Sequence, residues 1–252
     1  TGTIPAPAVA APTHDSHLRR NLSALAERGL HLEPPSDAAV EAATGAPPRT
    51  THAWNAALAA GDPMKPLVIE GAAPLESVLA LWQSAQPQPD GFSRRFILVQ
   101  ADEREFVEAL CTADASSMLA DPRVECFVGP TAADRLRAWL LTDERQGTAL
   151  PAQVVRSPVL RRALTPSPES IIKHATNAQA ALHESLRTRV LAAFTGKNRE
   201  HWAARYSTGE PLRVLLPISR YSTFVRHSSQ DLASALRRAG HEALVLSEPD
   251  PH

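Results

Sequence analysis

Hydrophobic and polar positions fall into three regimes along the chain. From His17 to Arg28, Leu18, Leu22 and Leu25 recur at steps of three and four. Asp15 or Ser16 stands ready to cap this run and Gly29 to stop it, which predicts a short amphipathic helix. Residues 34–66 are rich in Ala, Pro, Thr and Gly without a period, so 14–65 reads as a helical to irregular amino-terminal segment. A regular rhythm then begins. Leu67-Val68-Ile69, Phe96-Ile97-Leu98-Val99 and Val124 to Val128 are short continuous apolar runs, as buried strands show. Leu75 to Trp82, Glu103 to Leu110 and Ala132 to Leu141 carry helical spacing, and Val154-Val155 adds one more strand. Strands alternating with helices of about ten residues predict βαβ units and a parallel sheet, here a Rossmann-like domain over 66–160.

The pattern changes again at Pro168, which suits a first helical turn after Ser167. Ile171, Ala175, Ala178, Leu182, Leu186 and Val190 continue one face over five turns, and Gly196 or Lys197-Asn198-Arg199 interrupts it. This predicts a helical connector over 161–210. Leu212 to Ile218 then reads as a strand, Val225 to Ala239 as a helix stopped by Gly240, and Ala243 to Leu246 as a strand. The predicted fold class is α/β: a Rossmann-like parallel-sheet domain, a helical connector, and the beginning of a second Rossmann-like unit at 211–252. Two parallel strands cannot bury both faces of a sheet. With Glu248-Pro249-Asp250-Pro251-His252 following directly on an apolar run, the expectation is a truncated unit and an amino-terminal portion of a longer protein. Thr1 to Pro12 is an uncharged Pro/Ala tract, and 1–13 is expected to be a disordered lead-in.

Composition narrows the function classes. Hydrophobic residues make up 43% of the 252 and aromatics only 5%, so the core must be aliphatic and alanine-rich. A net charge of -1 argues against a nucleic-acid binder working through a basic surface. Two cysteines exclude a disulfide scaffold and a four-cysteine zinc site, and Cys111 and Cys126 read as small core residues. His14 and His17 lack a third ligand, so no metal is assigned. No apolar run approaches the roughly 20 residues of a membrane span, and the first residues lack a signal-peptide charge; no membrane span and a cytoplasmic location are expected. Charge is uneven: residues 1–150 hold 12 basic and 19 acidic side chains, whereas 151–205 hold 9 and 3. The change of sign near Leu150-Pro151 suggests an organisational boundary, a solvated basic helix face being the plainer account.

The sequence contains no GxSxG, HExxH or Walker loop. The turn Gly71-Ala72-Ala73-Pro74 occupies the place where a nucleotide-binding Rossmann unit keeps a glycine-rich loop, and Asp102 and Glu103 stand where an acid would bind ribose hydroxyls. Gly71, Asp102 and Glu103 are therefore the cofactor-site candidates. Only one glycine is present and Pro74 has no N–H to donate, so a vestigial or purely structural site is expected. The stretches ILVQADEREFVEAL and DASSMLADPRVECFVGP resemble the N-terminal domain of motility-associated-factor-like bacterial proteins, which precede sugar-transfer modules; the resemblance covers about 66–142. That family usually has a glycine-rich turn after the first strand, and Gly71-Ala72-Ala73 departs from it.

The carboxyl-terminal forty residues are the most informative. LRVLLPISRYSTFVRHSSQDLASALRRAGHEALVL resembles the opening β-α-β of GT-B glycosyltransferases, in which the loop after the first strand faces the interdomain cleft. Independently of any family, open α/β sheets bind ligands beyond the carboxyl ends of their strands. Ser219, Arg220, Tyr221, Ser222, Thr223 and Arg226 are thus the substrate-binding candidates, with the arginines suited to anionic groups. His227, in the first turn of the predicted helix, is the candidate base toward an acceptor hydroxyl. Ordinary helix capping also accounts for the Ser/Thr cluster. The resemblance implies the accessory and acceptor-side part of a bacterial glycosyltransferase, inactive alone and without a cofactor of its own. The full-length protein would take a nucleotide-sugar donor, a glycan or protein acceptor and the missing carboxyl-terminal domain. The alternatives are an S-adenosylmethionine methyltransferase-like domain, or a non-catalytic interaction module using the basic helix.

Overall fold

The computed structural model describes residues 14–35, 54, 56–57, 60, 65–85, 94–142, 150–218 and 223–247. The predicted lead-in 1–13 and most of 36–64 lie outside the described residues. Cα proximity divides the chain into two compact units, the first reaching to Ala175 and the second chiefly Thr176–His252.

The first unit holds a four-stranded, all-parallel sheet. Its strands are β1 (Leu67–Glu70), β2 (Phe96–Gln100), β3 (Val124–Val128) and β4 (Gln153–Arg156), in the order β3-β2-β1-β4. In parallel sheets both faces are covered, so the strands read as unbroken apolar runs. LVIE and FILVQ are buried at every position. The period-2 alternation then splits the core in two. On one face Leu67, Ile69, Phe96, Leu98, Val124 and Val155 pack with α1 (His14–Glu27), α2 (Leu75–Ser84), α3 (Glu103–Leu110) and α4 (Ser116–Ala120). On the other Val68, Ile97, Val99 and Phe127 pack with α5 (Ala132–Leu140) and the start of α6 (Pro168–Phe194). Each fully buried aliphatic side chain contributes about 1.5–3 kcal/mol relative to an exposed one.

Two side chains fix the amino-terminal helix to this core. Asn21, fully buried, donates from Nδ2 to the carbonyls of Leu110 and Ala113 (both 2.8 Å) and accepts at Oδ1 from the Ala115 N–H (2.9 Å). Arg28 donates to the carbonyls of Leu119 (3.0 Å), Asp121 (3.2 Å) and Val124. Together they satisfy backbone groups around α4 that an apolar helix would leave unpaired.

The second unit contains the rest of α6, α7 (Arg199–Tyr206), and a two-stranded parallel sheet of β5 (Arg213–Ile218) and β6 (Glu242–Ser247) joined by α8 (Thr223–Arg238). The fold is therefore the expected α/β arrangement, with a Rossmann-like four-stranded parallel sheet in the first unit and helices with a two-stranded parallel β-α-β in the second. Three details differ from expectation. Helix α7 replaces a simple interruption, because Asn198 caps it by accepting from the His201 N–H (2.9 Å). Helix α8 begins two residues earlier than its apolar spacing predicts. The apolar stripe of α6 is buried only at Ile171 and Ala175 among its predicted positions; Leu186 and Val190 are exposed.

Although Val214-Leu215-Leu216 and Ala243-Leu244-Val245-Leu246 read as fully buried strands, burial alternates along both. Val214, Leu216, Ile218, Ala243 and Val245 lie on the more buried face of the sheet, and Ala233 of α8 is fully buried. On the other face Leu215, Leu244 and Leu246 are 56%, 59% and 54% exposed. In register, Leu215 stands beside Leu244 and Pro217 beside Leu246, making one continuous apolar patch.

Candidate functional site

In the strand order β3-β2-β1-β4 the chain runs outward from β1 through β2 to β3 and then crosses back to place β4 on the other side of β1. The carboxyl end of the β1–β4 boundary is thus the switch point at which open α/β sheets form a ligand crevice. Gly71 lies there with φ +91°, a conformation natural only to glycine. A Cβ at Gly71 would come within 2.6 Å of the Ser157 Cβ and 3.2 Å of Leu160 Cδ1, so the turn is pressed against the segment leaving β4.

The other two cofactor candidates also have structural partners. Asp102 caps α3, accepting at Oδ1 from the N–H groups of Arg104 (2.9 Å) and Glu105 (3.3 Å). The Glu103 carboxyl group lies against Gly129, where any Cβ would collide with it. Gly71, Asp102 and Glu103 are therefore brought to one end of the sheet, Gly71 pressed against the segment after β4, Asp102 spent on a helix cap, and Glu103 exposed beside Gly129.

The residues that dominate this end were not singled out from sequence. Glu70 is fully buried; it accepts at Oε2 from Arg156 Nε and at Oε1 from the Leu164 N–H (2.6 Å). Gln100 accepts at Oε1 from the Ala72 N–H (3.2 Å) and donates from Nε2 to Glu105 Oε2 (2.8 Å). Glu105 Oε1 accepts from the Arg161 N–H (2.6 Å), while Arg161 Nη2 donates to Glu108 Oε2 (2.6 Å). The available signal was a charged or amide residue closing each of two all-apolar strands, LVIE and FILVQ.

In the second unit the loop residues Ser219, Arg220, Tyr221 and Ser222 lie outside the described residues. Thr223 opens α8, and Arg226 and His227 are exposed on that helix. Because α8 starts at Thr223, Arg226 completes its first turn and His227 opens the second, correcting the expectation that His227 sits in the first turn. The favourable field of a helix end decays within one turn, so it acts on His227 less than on the loop. The chain direction sets this end of α8 beyond the carboxyl end of β5, the side on which α/β sheets bind ligands.

Among the described residues no group of three His, Cys, Asp or Glu is arranged to hold a metal ion, and no helix is long and apolar enough to cross a membrane. Burial pushes the Cys111 thiol up, and burial likewise pushes Cys126 up to about 12, against the weaker pull of Arg28. Since the thiolate is the nucleophile, both cysteines are expected to resist alkylation by iodoacetamide at about pH 8 in the folded protein and to react fully in denaturant. Counting modified thiols by intact mass checks this, and stoichiometric labelling of either without denaturant would contradict it.

Comparison of the chain with protein-family profiles, curated proteins and solved structures finds no match.

Proposed function

We propose that this chain is the accessory and acceptor-side part of a sugar-transferring enzyme with a nucleotide-sugar donor, and that it is inactive without a further domain. The observation behind the need for a further domain is the second unit's two-stranded parallel sheet. Its α8 face is covered, whereas Leu215, Leu244 and Leu246 form an apolar patch on the opposite face. Parallel sheets in complete domains have helices on both faces, so this patch favours a unit that is finished by more protein. The loop 219–222 between β5 and α8, carrying Arg220 and leading to Arg226 and His227, supplies a cation for a phosphate-bearing or carboxylate-bearing group and an imidazole for a hydroxyl proton.

In this reading the first unit is a scaffold, and the reacting groups belong to the second. His227 Nδ1 or Nε2 would take the proton of the acceptor hydroxyl as that oxygen attacks the anomeric carbon. The bond from that carbon to the leaving nucleoside diphosphate breaks, and cations offset the charge released. The donor is held by the added domain. Incubating the 252-residue chain and its longer natural gene product with nucleotide sugars and glycan or peptide acceptors tests this through release of nucleoside diphosphate. Release is expected from the longer protein only. Turnover by the 252 residues alone, or none by the longer protein with any donor, would overturn the proposal.

The S-adenosylmethionine alternative would use Gly71 and Asp102 in the first unit. The hydrogen bonds that already engage Asp102 favour the transfer reading over it.

A further inference from the structure

The switch-point crevice of the first unit is crossed by its own chain. After β4 the backbone does not enter α6 directly; residues 157–167 intervene, and the first eight of them run over the ends of β1 and β4. Ser157 N–H donates to the Glu70 carbonyl (2.7 Å) as a continuation of the β1–β4 ladder, and Ser157 Oγ donates to the Ala73 carbonyl in the turn after β1. The Val159 N–H returns to Ser157 Oγ (3.2 Å). Leu160 reaches over Gly71, and the Arg161 N–H and guanidinium are taken by Glu105 and Glu108 of α3. Leu164 then turns back into the core on the α6 side, 5% exposed, with its N–H on the buried Glu70 carboxylate.

We infer that Ser157–Leu164 is a built-in occupant of the ligand crevice, a strap whose backbone N–H groups and arginine take the places a bound ligand would fill. The strap and the side chain of Gln100 between them engage the groups such a site would offer. A Rossmann site offers free backbone N–H groups in the turn after its first strand, and here the Ala72 N–H is given to Gln100 while the Ala73 carbonyl takes the Ser157 hydroxyl. Such a site offers a carboxylate near the second strand for ribose hydroxyls. Here Glu105, in the first turn of α3, binds the strap's own N–H instead. Both oxygens of Glu70 are committed, one to the strap and one to Arg156, which also reaches Glu169 of α6 (3.2 Å). The strap is thus bound by three carboxylates and one carbonyl turn, and it holds the glycine turn, α3 and the head of α6 in one arrangement. This inference concerns the first unit alone and is independent of the transfer reading.

Hydrogen exchange on the full 252-residue chain, read by mass spectrometry with fragment resolution, tests it. The amides of Ser157 and Leu164 are expected to exchange together with those of β1 and β4, through the same opening. Millimolar S-adenosylmethionine or NAD is expected to leave both the exchange pattern and the melting temperature unchanged. Glu105→Gln removes the charge from one anchor and should speed exchange at Arg161 by about tenfold or more, since hydrogen bonds to charged groups are the stronger ones, while β1 and β2 amides stay as they were. Strap amides exchanging much faster than β1 and β4 in the unmodified chain would make the segment a displaceable flap and overturn the inference. So would protection of residues 70–73 by either nucleotide, or an unchanged Arg161 rate in Glu105→Gln.

Discussion

Asp121→Ala is expected to lower the stability of the first unit by about 3–5 kcal/mol, the usual consequence of leaving one partner of a buried ion pair alone. Asp121 and Arg123 are both largely buried, at 13% and 8% side-chain exposure. The carboxylate accepts from the Arg123 backbone N–H (2.8 Å), from its Nε (2.9 Å) and Nη2 (2.7 Å), and from Trp82 Nε1 (2.7 Å). Arg123 Nη1 goes on to the Ala85 carbonyl (2.7 Å), so the pair ties the end of α2 to the start of β3. Removing the carboxylate strands a guanidinium, an indole N–H and a backbone N–H at once. Burial by itself would push the Asp121 carboxyl up, but the hydrogen bonds from Arg123 and Trp82 outweigh it and hold the group below the ordinary carboxylate value. A depressed folded-state value means that the ionised pair stabilises fully above the ordinary carboxylate range and that this contribution is lost as pH falls through the folded value. Urea unfolding followed by Trp fluorescence should therefore show a large gap between wild type and variant near pH 7 that narrows in acid below about pH 4. A loss under about 1 kcal/mol at neutral pH would reduce the pair to the level of a surface contact.

The second large effect belongs to the proposed reaction. In the longer protein that the proposal calls for, His227→Ala should cut turnover by about 100-fold or more, the ordinary contribution of a positioned general base. His227 is exposed on α8, so the folded state loses little with its ring, and the denaturation midpoint should stay within the small range of surface substitutions. A turnover loss matched by an equal loss of stability would make the residue a packing element. Unchanged turnover would remove it from the mechanism.

The sheet of the first unit was legible because parallel strands covered on both faces are written as unbroken apolar runs, and the helices between them keep a clear period. Asn21, Arg28 and Arg123 were not legible as structural residues. Asn21 and Arg28 act on carbonyls far along the chain, and Arg123 reaches the Ala85 carbonyl as well as its neighbour Asp121; in sequence a polar residue looks the same whether it meets water or a buried carbonyl. The Asp121-Pro122-Arg123-Val124 motif contributes a buried ion pair and a cap-like turn, which accounts for its residue types without any ligand. Gly71 makes a positive-φ turn and Asp102 caps a helix, features that their residue types already suggest. What sequence could not supply was the partner: Ser157 and Leu160 lie more than eighty residues from Gly71, and only the β1–β4 pairing brings them together. The same limit applies to β5 and β6, whose apolar runs predict cover on both faces while the described residues supply it on one.

The clasp of α1 has a consequence for synthesis. Asn21 and Arg28 find their partners 89 to 97 residues further along the chain. At the usual 5–20 residues per second, the ribosome needs roughly 5–20 s to make that length. Throughout that interval Leu18 and Leu25, buried in the finished protein, are apolar side chains on a helix whose seat does not yet exist. A helix of this length is marginal in water by itself, so α1 is made well before it can be consolidated and is seated only once α4 and β3 have emerged.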